Sequence, residues 1–148
     1  MDWHWSRFET LGVDNLYDAL ALRCRVFILE QGAYLDPDGF DRQAWHLLGR
    51  GADGTLVAYL RIVDAGGKYP EMSMGRVITS IETRATGLGR RLVTECMRWL
   101  DANAPGQPVR ISAQAHLQRF YGEFGFVPVG EPYLEDNIPH LEMLKGAP

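Results

Sequence analysis

The sequence predicts a mixed α/β fold, one layer of sheet with helices packed on it. Three observations carry that expectation. The chain has 148 residues, within the roughly 100–200 of a single domain. Hydrophobic residues make up 46% of it, enough to build a core. Short apolar or alternating runs take turns with runs of helical period, as helices and strands that cover one another require.

The elements follow in order. His4–Leu11 (HWSRFETL) has a rough alternation and reads as a first strand. Asp14 is placed to cap a helix from about Asn15 to Glu30, with Leu16, Leu20, Cys24 and Phe27 on one face. Gln31–Asp41 (QGAYLDPDGFD) breaks all periodicity with Gly, Pro and Asp and reads as a loop. Trp45–Val63 reads as a hairpin, two apolar strands around the turn Gly51-Ala52-Asp53-Gly54. A loop over Asp64–Glu71 leads to a strand over Met72–Ser80. From Gly87 to about Asn103, Leu88, Leu92, Cys96 and Trp99 recur at helical spacing. Pro105, Gly106 and Pro108 end that helix. Val109–Ala113 reads as a strand, and His116–Phe124 as a short helix stopped by Gly125. Phe126–Gly130 and His140–Lys145 read as closing strands. No repeat, low-complexity tract or linker divides the chain, so residues 1–148 are taken as one domain.

Composition excludes several classes of function. Net charge is -4, from 15 Lys+Arg and 19 Asp+Glu, which argues against general binding to nucleic acid or to an acidic membrane surface. No apolar run reaches the ~18 residues of a membrane span, and the N-terminal MDWHWSRFET lacks the order of a signal peptide. Cys24 and Cys96 show no metal spacing. They read as free thiols packed as small apolar groups in a reducing compartment, and the expected location is cytoplasmic. No metal is expected, since DPDGFD lacks the terminal glutamate of a calcium loop.

The stretch Arg84–Leu92 (RATGLGRRL) raises the functional question. It is not a GxxxxGK[ST] phosphate loop, and Leu92 stands where a dinucleotide fingerprint needs a third glycine. One reading is an anion site at a helix start. The first N–H groups of a helix have no internal partner, and the macrodipole is positive there. Gly87 and Gly89 would let a ligand approach the main chain, and Arg84, Arg90 and Arg91 add charge. Two arginines in a first turn work against the dipole, and a bound polyphosphate would compensate them. The other reading is a glycine-rich corner with solvated arginines.

RxxGxG after a strand, followed by Phe120–Phe126 (FYGEFGF), resembles the GNAT superfamily of acyl-CoA-dependent N-acyltransferases. LRCRVFILEQG, GRVITS, SAQAHLQRFYGEFGF and YLEDNIPHLEM resemble its ElaA-like branch. The resemblance spans nearly the whole chain. It implies a central, mostly antiparallel sheet flanked by helices. It also implies acetyl-CoA as acyl donor, an amine of a small molecule or peptide as acceptor, and direct attack of that amine on the thioester.

Residue by residue, the resemblance implies the following roles. Main-chain groups of Val77 and Thr79 pair with the pantetheine arm, and an N–H near Ile78 meets the oxyanion. Thr86, Gly87, Leu88, Gly89, Arg90 and Arg91 contact the pyrophosphate, with Arg84 carried over as part of the motif. Tyr121 protonates the leaving thiolate; the alternative is a tyrosine half-buried in a packed helix. Gln114 stands where many members place a cofactor-binding asparagine. Phe120, Phe124 and Phe126 read as core rather than site.

The general base is not given by the resemblance, because no carboxylate lies between Met72 and Ser80. Glu30, His46, His116 and His140 are the candidates, and a water chain is the alternative. Acidic residues gather in two places: Glu30, Asp36, Asp38 and Asp41, then Glu135, Asp136 and Glu142. Either group reads as a solvated loop or as a wall that attracts a cationic amine. Glu30, Asp36, Asp38, His46, Glu135, Asp136 and His140 are therefore the candidate acceptor-binding residues. Two other readings stay open: a non-catalytic acyl-CoA-binding or regulatory module, and an acyl-homoserine-lactone synthase. The sequence does not fix the oligomer, and a homodimer is one assembly open to it.

Overall fold

Two hydrophobic clusters, one on each face of a sheet, organise the chain. Neighbouring residues of the same strand alternate between them. Leu47 and Leu60 join Leu88, Leu92, Val93, Cys96 and Leu100 in one cluster, whereas Leu48 and Tyr59 join Leu11, Ala19, Leu22 and Val26 in the other. The computed structural model describes residues 1–28 and 36–146.

Among the described residues the sheet has eight strands: β1 (Asp2–Arg7), β2 (Ala44–Arg50), β3 (Leu56–Val63), β4 (Met72–Thr79), β5 (Val109–Gln114), β6 (Val127–Pro128), β7 (Tyr133–Glu135) and β8 (Ile138–Lys145). Their order is β1-β2-β3-β4-β5-β8-β6, with β7 also paired to β8. All neighbours run antiparallel except β4 and β5. The mixed, mostly antiparallel sheet is thus the one expected.

Four α-helices accompany it among the described residues: α1 (Phe8–Leu11), α2 (Val13–Arg23), α3 (Leu88–Asn103) and α4 (Gln118–Gly122). The first strand is shorter than its sequence pattern suggested, because Phe8–Leu11 closes into a helical turn. Gly12, not Asp14, takes the cap position of α2, and Asp14 stands in the first turn, where its charge suits the dipole. The helix continues through a π-helical turn, Cys24–Ile28. Its buried stripe is Ala19, Leu22, Arg23 and Val26, one step round from the expected face, and Cys24 is exposed. The pattern misled because it placed Arg23 outside; Arg23 is 1% exposed and ion-paired inside. Helix α3 matches its pattern: Leu88, Leu92, Cys96 and Leu100 are buried, together with Val93. Trp99 stacks on Trp5 with ring centroids 4.5 Å apart. Trp45 is tilted against Trp99 at 5.1 Å, and Trp3 packs on the same cluster.

Strand β4 carries the irregularity that matters most for function. In its register with β3, Tyr59 faces Ile78 and Arg61 faces Gly75, so Arg76 and Val77 together oppose Leu60. This is a bulge, and Arg76 adopts φ +51 there. On its other side β4 pairs with β5 only at Met72↔Val109 and Ser73↔Arg110. Beyond Ser73 the two strands part.

Candidate active site

A cleft of about 490 Å³ opens where β4 leaves β5. Main-chain groups of β4 beyond Ser73 have no β5 partner in the register. Ile111, Ala113 and Gln114 of β5 form one wall, and Met74, Gly75, Arg76 and Val77 of β4 form the other. Tyr121 and Leu117 lie on one side, and Glu135, Asp136, Asn137, Ile138 and His140 on another.

Tyr121 is brought in by the short helix α4, held by aromatic packing against Phe120 and Phe126 with ring centroids 5.1 and 6.1 Å away. Burial pushes its phenol up to about 12, so it stays protonated at neutral pH and can donate. Phe126 is core as expected, and Phe120 and Phe124 pack against that core while lying beneath the Arg90 guanidinium.

The glycine turn lies beyond the end of β4, outside the cleft lining. After the short helical turn Ile81–Thr83, Ala85 and Gly87 adopt φ +64 and +82, and α3 begins at Leu88. Leu88, Gly89 and Arg90 open the helix, so their N–H groups have no intrahelical acceptor. A Cβ at Gly87 or Gly89 would meet nothing within 4 Å. The turn therefore presents open main chain at the positive end of a 16-residue helix. Arg90 is ion-paired with Glu123, just past the end of α4, so a protein carboxylate already offsets part of the charge that a polyphosphate was expected to balance. Arg84 and Arg91 are exposed at the same end.

The described members of the first acidic group, Asp36, Asp38 and Asp41, do not form a wall for an amine. Asp36 is 1% exposed; its carboxylate lies 2.8 Å from Arg23 Nε and 3.0 Å from Arg76 Nε. Asp41 accepts from Arg23 and Arg61 at 2.9 and 2.8 Å. Asp38 accepts from Arg61 and Arg76. Burial pushes the Asp38 carboxyl up, but Arg61 and Arg76 outweigh it and hold it at about 2. Three arginines thus take up three aspartates, and the bulged residue Arg76 is one of them. This corrects the expectation for Asp36 and Asp38. Each arginine would be costly to bury alone, so the acidic loop turns inward to meet them.

His46 is also structural. Its Nδ1 is 2.7 Å from the Tyr59 hydroxyl and its Nε2 is 2.9 Å from the Asp41 carbonyl. Burial pulls its pKa down, and the ring is 1% exposed and absent from the cleft lining. His116 is exposed and lines a separate shallow depression beside α4. Glu30 lies outside the described residues. The second acidic group does reach the cleft: Glu135 and Asp136 sit at the β7–β8 turn, where Asp136 and Asn137 adopt φ +52 and +61. Of the cofactor candidates, Val77 and Gln114 line the cleft; Ile78 is 3% exposed in the α2-side core, and Thr79 ends the strand.

The sequence reading missed Arg61, Lys68, Ser73, Arg76, Ser112 and Asn137, all of which line the cleft. Arg61 offered a signal, as a charge inside the apolar run Leu56–Val63. The others look like ordinary surface residues in sequence.

Comparison with known proteins decides the family. The family model described as an acetyltransferase (GNAT) domain matches residues 35–146. The chain belongs to the GNAT acetyltransferase family. Within it the chain is ElaA-like. It is 46% identical to a UPF0039 protein from Synechocystis sp., covering 100% of this chain and 97% of that one. The structure of Escherichia coli ElaA superposes with a TM-score of 0.90 at 40% identity, covering 97% of this chain and 98% of that one. An acyl-CoA N-acyltransferase from Pseudomonas aeruginosa gives 0.92 at 40% identity, covering 98% and 99%. The fold described above is therefore a GNAT fold.

Proposed function

We propose that this GNAT protein is an N-acetyltransferase that takes acetyl-CoA as donor and acetylates a cationic amine of a small molecule or peptide. The observation that carries the reading is the cleft between β4 and β5, with β4 main chain unpaired by β5 on one wall and the Tyr121 phenol on its border. The similarity to a protein described as an acyl-CoA N-acyltransferase supports the donor class.

The residues fit such a donor. The free edge of β4 around Val77 and Thr79 can take an extended amide-bearing arm as an added strand. The start of α3 offers main-chain N–H groups and open space at Gly87 and Gly89 for a pyrophosphate. An N–H near Ile78, just past the bulge, can hold the developing oxyanion. Glu135 and Asp136 give the acceptor end a negative border. As the amine attacks and the carbon–sulfur bond breaks, Tyr121 donates its proton to the thiolate. The surplus proton on the new amide nitrogen restores the phenol.

Thermal unfolding with coenzyme A and with acetyl-CoA tests the donor site. A ligand at ~100 times its Kd adds ~2.7 kcal/mol. Thiol release is then read with a polyamine, a lysine peptide and a free peptide α-amine as acceptors. No stabilisation by either donor form would sink the reading. Stabilisation without thiol release from any amine would make the protein a binding module.

A further inference from the structure

We propose that His140 is the base that deprotonates the acceptor amine, with Glu135 holding the charge it takes on. This rests on the acetyltransferase reading above. Strand β4 supplies no carboxylate to take the proton. Among the described residues, His140 is the only histidine that lines the cleft.

Its geometry suits the task. Strand β8 pairs His140 with Gln114 of β5 on one side and with Tyr133 of β7 on the other, and this fixes its backbone between two walls of the cleft. The ring lies over Tyr133, with centroids 6.2 Å apart and planes 29° apart. Nδ1 lies 2.7 Å from the Ile138 carbonyl and donates to it. That hydrogen bond assigns the ring proton to Nδ1 and leaves Nε2 as the accepting nitrogen. Nε2 in turn lies 3.4 Å from Glu135 Oε2. A proton arriving at Nε2 meets a carboxylate at once, so the imidazolium is stabilised as it forms. An ammonium drawn to Glu135 is brought to Nε2 by the same attraction.

The other charged and titratable groups around the site are Asp136 on the turn, Lys68 on the β3–β4 loop, Tyr121 on α4, and Arg61 and Arg76 on β3 and β4. The two arginines are committed to Asp36, Asp38 and Asp41. The step moves one proton. The ammonium N–H breaks, Nε2–H forms, and the positive charge passes from amine to ring. The neutral amine attacks, and the ring later returns the proton to solvent.

The test is thiol release from acetyl-CoA between pH 6 and 10, with the peptide α-amine and the lysine peptide, for wild type, His140→Gln and Glu135→Gln. Stabilisation by coenzyme A, measured alongside, reports folding and donor binding. His140→Gln should keep that stabilisation and lose about 10²–10⁴ in kcat/KM at pH 7. The gap should close as pH approaches the amine's own pKa, ~8 for the α-amine and ~10.4 for lysine. Glu135→Gln, which leaves the Nδ1 hydrogen bond intact, should move the acid limb of the wild-type profile to lower pH. A loss in His140→Gln that stays constant across pH would mark a structural role and overturn the proposal. So would an unchanged rate, or an acid limb unmoved in Glu135→Gln. If wild type itself releases no thiol, the acetyltransferase reading falls and the base goes with it.

Discussion

Replacing Asp36 by alanine should be among the most damaging single changes outside the cleft. The carboxylate is buried and serves two guanidinium groups, Arg23 at 2.8 Å and Arg76 at 3.0 Å. After the change Arg76 keeps Asp38 at 3.3 Å and is partly solvated. Among the described residues Arg23 keeps Asp41 and the main-chain carbonyl of residue 36 at 3.4 Å and, with a side chain 1% exposed, cannot regain water. Removing one partner of a buried pair costs about 3–5 kcal/mol. An unfolding entropy of ~2.1 cal/mol/K per residue gives about 0.3 kcal/mol/K for this chain. The melting temperature should therefore fall by about 10–16 °C. Differential scanning calorimetry measures it directly. Because Arg76 sits in the bulge of β4, on the cleft wall, KM for acetyl-CoA should rise as well, at temperatures where the variant is folded. A melting temperature within about 3 °C of wild type would refute the view that this cluster is a closed, mutually dependent set of charges.

Three further outcomes are expected. Tyr121→Phe should retain coenzyme A stabilisation while turnover falls by about 10² or more, as for loss of a general acid; an unchanged rate in a stopped assay would remove its role. Gly89→Asp places a carboxylate in the first turn of α3 with room for its Cβ. It should leave the melting temperature unchanged or raised, because an acid suits that end of a helix, while KM for acetyl-CoA rises tenfold or more. Asp38 has a folded pKa of about 2, below its unfolded value, so its contribution is present above pH ~4 and is lost as pH falls toward 2. The full shift would be worth about 2.5 kcal/mol, and solvent screening at this exposed residue reduces it to about 1. Urea unfolding at stepped pH should show that slope in wild type and a shallower one in Asp38→Asn.

The sheet and α3 were legible because their apolar residues follow simple periods, as Leu88, Leu92 and Cys96 do on α3 and as the apolar runs of β2 and β3 do. Tyr121 and the glycine turn were legible as motifs with fixed spacing. The face of α2 was not, since a charged residue inside a stripe reads as solvent-facing until its partners are known. Arg23 finds them 13 and 18 positions later, in a loop with no period of its own. The same distance in sequence hid the fate of Asp36 and Asp38, which looked like a surface for amines and are instead counterions. Strand β4 parts from β5 after Ser73 and bulges against β3 at Arg76 and Val77, and GRVITS carries no local mark of either. Strand β7 went unrecognised because three residues are too few to show alternation.

The four tryptophans of the chain are Trp3, Trp5, Trp45 and Trp99. They stand on β1, β2 and α3, all pack against one hydrophobic cluster, and none lines the cleft. Their fluorescence therefore reports the integrity of one end of the sheet, away from the cleft lining. A ligand that changes tryptophan emission would have to act through the sheet itself. A substitution in the cleft that leaves the emission unchanged has spared the fold, so the protein carries an optical control for the separation of binding from folding.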